Sequence, residues 1–323
     1  MRIQIIGPGA MGTLLGGLLK LKGHDVGLRG RTAPTGAAGT LRVTLPDNWL
    51  LIDGCQRLGP ESPADEPDLI IMTLGRHHMH ALRRPDLARV IGTGDCPIAV
   101  FNADPVEMER LAVPPERLRH CISLLCAVKL QDDDVELMTP APVLLHEKSP
   151  LLAGLFKQLA GFGFRSVAVD DAGPFLSSLL LAQLLFLPVA MCNTTLACFL
   201  SFPEGRELAH LMLEEGISAM QRAGLSMAAL PAMDPRELMA RIEKKPESWS
   251  GSGALPDRSY NPVLQSMLRG RPTEAAQVNK KIVDIASSAG LHLTWNWRIL
   301  QKAGRVSGVG FFQNPGDLLR SLA

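Results

Sequence analysis

The hydrophobic rhythm of the chain changes once, close to residue 171. Before that point, short apolar runs alternate with segments of helical spacing. Arg2 to Ile6 is a β-branched run that predicts a buried strand, and "TLLGGLLKLKG" after it has the period of a helix ending at Gly23. "HDVGLR", "DLIIMTL" (68–74) and "PIAVFN" (97–102) read as further strands. "CISLLCAVKL" and "ELMTPAPVLL" are also expected to be strands, in antiparallel pairing. "SPLLAGLFKQLAGFG" predicts a capped amphipathic helix, and "RSVAVD" a last strand. Alternation of this kind predicts a mostly parallel sheet covered by helices. Beyond Asp171 the pattern is helical almost throughout, apart from a polar loop at "PESWSGSGALPDRS". The expected fold class is α/β: a Rossmann-type dinucleotide-binding domain over residues 1–171, then an all-helical domain over 172–323.

The stretch from Gly173 to Pro203 contains no charged residue. It is long enough to cross a bilayer by count. Pro188 interrupts it, however, with Gln183, Asn193, Thr194 and Thr195 around it, and acids rather than basic residues abut its ends at Asp171 and Glu204. Those features oppose a span. The expectation is one long central helix of the second domain, kinked at Pro188, around which the other helices pack.

Composition narrows the partners. Lys and Arg number 33 against 32 Asp and Glu, a net charge of +1, which leaves no electrostatic footprint for nucleic acid or an anionic membrane surface. The start, "MRIQIIGPGAMG", lacks the apolar core and cleavage site of a secretory signal. The six cysteines have no metal-type spacing and read as reduced thiols, so a cytoplasmic protein is expected. His77, His78 and His80 form an HHxH cluster without supporting carboxylates or cysteines. It reads as a solvated helix face, and no metal is expected.

The strongest chemical signal is Gly7-Pro8-Gly9-Ala10-Met11-Gly12, a G-x-G-x-x-G sequence set between a strand and a helix. Gly7 permits the tight turn, Gly9 lets a pyrophosphate approach the backbone, and Gly12 lets helix and strand pack closely. The free N–H groups at the helix start then face the phosphates. At the end of the second strand an acid would bind the ribose hydroxyls of NAD. The chain instead reads Leu28-Arg29-Gly30-Arg31-Thr32. Arginine suits a 2′-phosphate, so NADP is the expected cofactor, with Arg29 and Arg31 as its ligands.

These segments resemble the ketopantoate reductase family, which reduces 2-dehydropantoate with NADPH. The likeness runs through "IIGPGAMGTLLGGLLKLKGHDVGLRGR", "DLIIMTLGRHHMHAL", "AVFNADPVEMERL" and "FPEGREL", and is clearest in "NPVLQSMLRGRPTEAAQVNKKIVDIASSAG". The resemblance implies a phosphate loop at Gly7 to Gly12, with Arg31 as the 2′-phosphate arginine. It places Leu74 and Gly75 along the adenosine ribose; Gly75 stands where a lysine is common, and Arg76 beside it can supply the charge. It sets Asn102 next to the nicotinamide, followed by Ala103 where the family has glycine, a departure at a tight turn. It makes Glu274 a contact to the nicotinamide ribose. The second domain is expected to carry the substrate site and a dimerisation surface, a homodimer being a candidate assembly.

The catalytic half departs from the family. Family members carry a lysine on the first long helix of the second domain, as a donor to the keto oxygen. Here no lysine occurs between Lys157 and Lys244. The substrate-contacting serine before M-L-Q is also missing from Tyr260-Asn261-Pro262-Val263-Leu264-Gln265. Asn193 and Tyr260 are the candidate replacement donors. Two function classes follow: an NADPH-dependent reductase acting on a 2-keto acid or related small carbonyl or imine, or a non-catalytic NADP-binding or regulatory protein descended from one.

Overall fold

The computed structural model describes every residue except 32–37, 60–65, 76, 77, 80–88, 93, 147, 148, 231–233, 245–262, 265, 266, 268–273 and 306–311. Contacts within the chain divide it into two compact units, Met1–Ala172 and Gly173–Ala323.

The first unit is built on an 11-stranded sheet in the order β11-β10-β7-β6-β5-β1-β2-β4-β3-β9-β8. Its middle is parallel: β1 (Arg2–Ile6) lies between β2 (Asp25–Arg29) and β5 (Leu69–Met72), with β4 (Trp49–Leu58) beyond β2 and β6 (Ile98–Phe101) and β7 (Leu118–Ser123) beyond β5. The chain runs outward from β1 through β2 to β4, then returns to β5 on the other side of β1. That reversal opens a crevice at the carboxyl ends of β1 and β5, where α/β sheets of this kind take ligands. The central strands are buried on both faces, and β5 and β6 are buried at every position. This is why they read as unbroken apolar runs.

Between β2 and β5 the chain adds a feature that its apolar pattern did not announce. β3 (Ala38–Thr44) pairs antiparallel with β4 and parallel with β9 (Asp134–Thr139), and β8 (Cys126–Gln131) closes that edge against β9. Leu41, Val43, Ile52, Val135 and Leu137 of this extension are buried. α1 (Ala10–Leu21) packs against β3, β4, β8 and β9 as well as β1 and β2. Leu14, Leu15, Leu18 and Leu19 of α1 are all fully buried, each contributing roughly 1.5–3 kcal/mol over an exposed position.

Two expected strands are each divided. "CISLLCAVKL" breaks at Leu124-Leu125 into β7 and β8, and "ELMTPAPVLL" breaks at Pro140 to Pro142 into β9 and β10 (Val143–His146), the prolines having no N–H for a ladder. α2 (Pro105–Arg110) starts on a capping box of Asp104 and Glu107, and α3 (Pro150–Gln158) on the Ser149 hydroxyl. β11 (Ser166–Val169) follows and pairs with β10.

In the second unit the uncharged stretch is helical and largely buried, but as three helices rather than one kinked helix: α4 (Gly173–Gln183), α5 (Phe186–Met191) and α6 (Leu196–Ser201). The segment Gly173–Met191 is long and apolar enough to cross a membrane, and 72% of its apolar window is buried inside the fold. The first break follows from Pro188, which has no N–H for the carbonyl of Leu184 four residues earlier. Asn279 Nδ2 donates to that carbonyl instead, at 3.5 Å. The second break is at Asn193, whose φ of 48° is left-handed; the N–H of Thr194 returns to the Val189 carbonyl, closing a Schellman-type stop. Thr195 then caps α6 through the N–H of Cys198.

The hub of this unit is not that stretch but α7 (Pro203–Arg222). Its buried stripe, Leu208, Ala209, Met212, Leu213, Gly216, Ala219 and Met220, recurs at helical spacing. Around it pack α4, α6, α8 (Pro235–Ile242), α9 (Glu274–Ser288), α10 (Thr294–Arg305) and α11 (Pro315–Leu322). From α7, Glu215 accepts the N–H groups of Thr294, Trp295 and Asn296 at 2.6–3.1 Å and so caps α10. Asn296 Nδ2 donates to the Met212 carbonyl and to Glu215 Oε2, and Asn279 Nδ2 lies 3.4 Å from Asn296 Oδ1. Asn279 and Asn296 are both fully buried, so this network joins the proline break to the helix cap in an apolar interior.

Asn279→Ala is expected to cost about 1–3 kcal/mol, because it strips the Leu184 carbonyl of its donor without exposing it to water. Chemical denaturation of the intact chain measures this, and an unchanged midpoint would show that the network adds nothing to stability.

Candidate functional site

The glycine loop lies at the carboxyl end of β1, and its geometry follows from what surrounds each position. Gly7 has φ 93°, and a Cβ there would fall 2.9 Å from Leu74 Cδ2 and 3.1 Å from the Leu74 nitrogen. Its N–H donates to the Arg29 carbonyl at 3.1 Å, and its carbonyl accepts the Thr73 hydroxyl at 2.7 Å and the Gly9 N–H at 2.7 Å. The loop is thereby tied to the ends of both neighbouring strands. At Gly12 a Cβ would meet the Gly7 carbonyl oxygen at 2.3 Å and Thr73 Oγ1 at 2.5 Å. No side chain fits there. At Gly9, the N-cap of α1, a Cβ would meet nothing within 4 Å. The backbone of Gly9 is therefore approachable from outside, directly before the first turn of α1. No acid stands in that turn, so its N–H groups present an unopposed positive end to an anion. A cradle bare at Gly9 and closed at Gly7 and Gly12 fits a dinucleotide pyrophosphate.

The two arginines after β2 have different surroundings. Arg29 is buried, and its Nη1 donates to the Gly59 carbonyl at 3.1 Å. Burial pulls its guanidinium below the usual arginine range. Arg31 is exposed, and its Nη2 lies 3.1 Å from His78 Nε2. His78 belongs to the turn after Leu74 and Gly75, where its N–H and that of Met79 donate to the Gly75 carbonyl. The structure thus brings Arg31 to His78, three residues after Gly75. Arg76 lies outside the described residues.

On the other side of the loop, Asn102 ends β6 with φ 55°. Its N–H donates to the Cys121 carbonyl, and its Oδ1 accepts the Ser123 N–H at 2.8 Å. The left-handed residue of this turn is Asn102 itself, while Ala103 is not in that region. Alanine at position 103 therefore carries no left-handed backbone strain. Ser123 Oγ reaches Met11 Sδ at 4.0 Å, so the Asn102 corner touches the start of α1. Nearby, His120 and His146 stack edge to face at 6.4 Å on β7 and β10, and burial lowers the His120 pKa.

Sequence reasoning missed Lys129. It lies on β8, far from the loop in the chain, yet its Nζ donates to the Pro8 carbonyl at 2.9 Å, beside the Thr13 hydroxyl at 3.1 Å. A lone lysine in an alternating strand carries no signal; the curl of β8 and β9 around α1 is what delivers it.

The remaining candidates belong to the second unit. Asn193 is exposed and occupies the left-handed stop of α5. Glu274 opens α9, and its side chain lies outside what is described, as does Tyr260. All six cysteines are free thiols. Burial pushes Cys55 and Cys126 up to about 11 and Cys192 to about 12, which keeps them protonated at neutral pH. Among the described residues no group of three His, Cys, Asp or Glu could hold a metal.

Residues 3–143 match the family model described as ketopantoate reductase PanE/ApbA, and residues 187–306 match its C-terminal counterpart. Comparison with curated proteins found no match. Solved structures share the fold. A 2-dehydropantoate 2-reductase from Geobacter metallireducens GS-15 is 21% identical with a TM-score of 0.75, over 94% of this chain and 99% of its own. A dimeric ketopantoate reductase from Staphylococcus aureus is 19% identical with a TM-score of 0.70, over 95% and 99%. A D-mandelate dehydrogenase solved with NADH and anilino(oxo)acetate is 15% identical with a TM-score of 0.75, over 99% and 100%.

The open and the closed positions of the cradle separate binding from stability. Gly9→Ala is expected to leave the melting temperature near wild type while abolishing dinucleotide binding, since its methyl enters open space where phosphate would sit. Gly12→Ala is expected to lower the melting temperature by several degrees, consistent with about 1–3 kcal/mol of overpacking. Thermal melts and cofactor titration of both variants check this; equal melting losses would contradict it.

Proposed function

We propose that this chain, which belongs to the ketopantoate reductase family, is a cytoplasmic NADPH-dependent reductase of a 2-keto acid or a related carbonyl or imine. The observation that supports it best is the exposed Arg31, paired with His78 beside the glycine loop, in a strand end that contains no acid. An acid there would repel a 2′-phosphate, whereas a planar guanidinium can grip it with two parallel hydrogen bonds. Arg31 takes that role in this reading. Arg29, buried and donating to Gly59, instead holds the end of β2 to the segment after β4. The N–H groups of Ala10 and Met11 receive the pyrophosphate, Leu74 and Gly75 flank the adenosine ribose, and Asn102 stands by the nicotinamide.

The bound nicotinamide supplies the hydride. The chain's own residues must orient it, exclude water and stabilise the negative charge that develops on the substrate oxygen. In the family that last task falls to a lysine on a helix that here has none. A neutral donor stabilises an alkoxide less than an ammonium does. The substrate of this chain is therefore read as one whose reduction needs less cationic help, and 2-dehydropantoate itself as a poor one.

NADPH is expected to bind at least about tenfold tighter than NADH, a difference of about 1.4 kcal/mol. Arg31→Ala should remove most of that preference. Fluorescence titration of both cofactors decides the matter, and equal affinities in the wild type would refute NADP selectivity. With saturating 2-dehydropantoate, NADPH oxidation is expected to be at least about 10²-fold slower than in a lysine-containing family member. A panel of keto acids assayed in parallel identifies better substrates. Turnover of 2-dehydropantoate at the family's ordinary rate would mean that another group has taken over the lysine's task.

A further inference from the structure

Lys129 is half-buried, with 19% of its side chain exposed, and it is held at the glycine loop by more than proximity. The pairing of β8 with β9 slips between Lys129 and Gln131. A bulge of this kind re-aims side chains. Val128 is buried, and Lys129 sends its ammonium to the Pro8 carbonyl at 2.9 Å. Its other polar neighbour is Asp132 Oδ1, at 3.5 Å on a side chain that is 99% exposed. An ion pair to so solvated a carboxylate is worth little. Arg57 adds a second positive charge to the neighbourhood, while donating to the Asp132 carbonyl and pairing with Asp133. Burial, the largest cause, lowers the Lys129 pKa; Arg57 lowers it further, while Asp132 and Asp133 raise it.

An ammonium has three N–H donors. Pro8 and Asp132 engage two of them, and the four-carbon stem lets the group swing without moving the strand. The carbonyl on which it rests belongs to the residue immediately before Gly9, where the backbone is open to a ligand. A desolvated cation with a weak counter-charge, set at the edge of an anion cradle, is matched by a phosphate group.

We propose that Lys129 binds the cofactor pyrophosphate, its ammonium turning from the Pro8 carbonyl to a phosphate oxygen when the dinucleotide enters. This rests on the reading of the glycine loop as a dinucleotide site. It adds a charged side chain to a pyrophosphate site that the described residues otherwise make of backbone N–H groups and a helix terminus. It also separates the two anionic ends of the cofactor: Lys129 serves the pyrophosphate, and Arg31 serves the 2′-phosphate.

The test uses the full chain and three probes: NADPH, ADP-ribose, which carries a pyrophosphate but no 2′-phosphate, and adenosine 2′-monophosphate, which carries the reverse. Calorimetric titration of Lys129→Met should show affinity for NADPH and for ADP-ribose falling by about tenfold or more, the loss of one charge-assisted hydrogen bond. Affinity for adenosine 2′-monophosphate should be unchanged. Lys129→Arg should recover most of the loss, whereas Arg31→Ala should weaken NADPH and adenosine 2′-monophosphate and leave ADP-ribose unchanged. Unchanged ADP-ribose binding in Lys129→Met overturns the proposal. So does an equal loss for all three probes, which would mark Lys129 as a structural prop for the loop. If the wild type binds neither NADPH nor ADP-ribose, the dinucleotide reading falls and Lys129 with it; wild-type binding together with an unaffected Lys129→Met variant removes Lys129 alone.

Discussion

The contact between the start of α1 and the ends of β1 and β5 is the constraint on which the nucleotide loop depends. The Gly7 carbonyl sits where a side chain at Gly12 would be, and the Thr73 hydroxyl holds that carbonyl in place from β5. With the gap closed this far, the turn of the loop is constrained from both sides. The helix is kept there by its leucines, which are enclosed on one side by β1 and β2 and on the other by β3, β4, β8 and β9. The geometry of the loop is thus secured by apolar packing.

The same enclosure shapes the electrostatics. A helix start without acids already favours an anion. The curled extension brings Lys129 to one side of it, and the turn after β5 brings His78 to Arg31 on the other. Arg29, two residues from Arg31, faces the interior and is consumed by a backbone carbonyl. Alternation alone would turn residues 29 and 31 to the same face; the contrast arises because Arg29 is the last residue of β2 and Arg31 lies beyond its end.

In the second unit the absence of charge from Gly173 to Pro203 is matched by burial of α4, α5 and α6 in its core. The polar atoms that do enter that core are compensating ones. Asn279 answers the carbonyl released by Pro188, and Glu215 answers the N–H groups at the start of α10. A helix surrounded in this way has little place for a lysine with no partner, since an uncompensated ammonium in such an interior is costly. The absence of any lysine between Lys157 and Lys244 agrees with the apolar character of the stretch.

The sequence by itself determined the elements whose signal is local. The Gly7 to Gly12 loop between strand and helix, the buried parallel strands and the helical second half all follow from periodicity and from what glycine permits. The left-handed Gly23 stop and the Ser149 cap were legible for the same reason. Tertiary structure decided what depends on distant partners. β3 and β4 are half-exposed strands whose apolar positions acquire meaning only once α1 lies beneath them. The division of the uncharged stretch into three helices depends on Asn279 supplying a donor from 95 residues away as much as on Pro188. Which arginine meets solvent was settled by where β2 ends and by Gly59, and Lys129 reached Pro8 across a separation of 121 residues. Local patterns fix backbone preference and burial, but the place where a flexible charged side chain ends is set by whichever carbonyl or carboxylate the fold brings within about 3 Å of it.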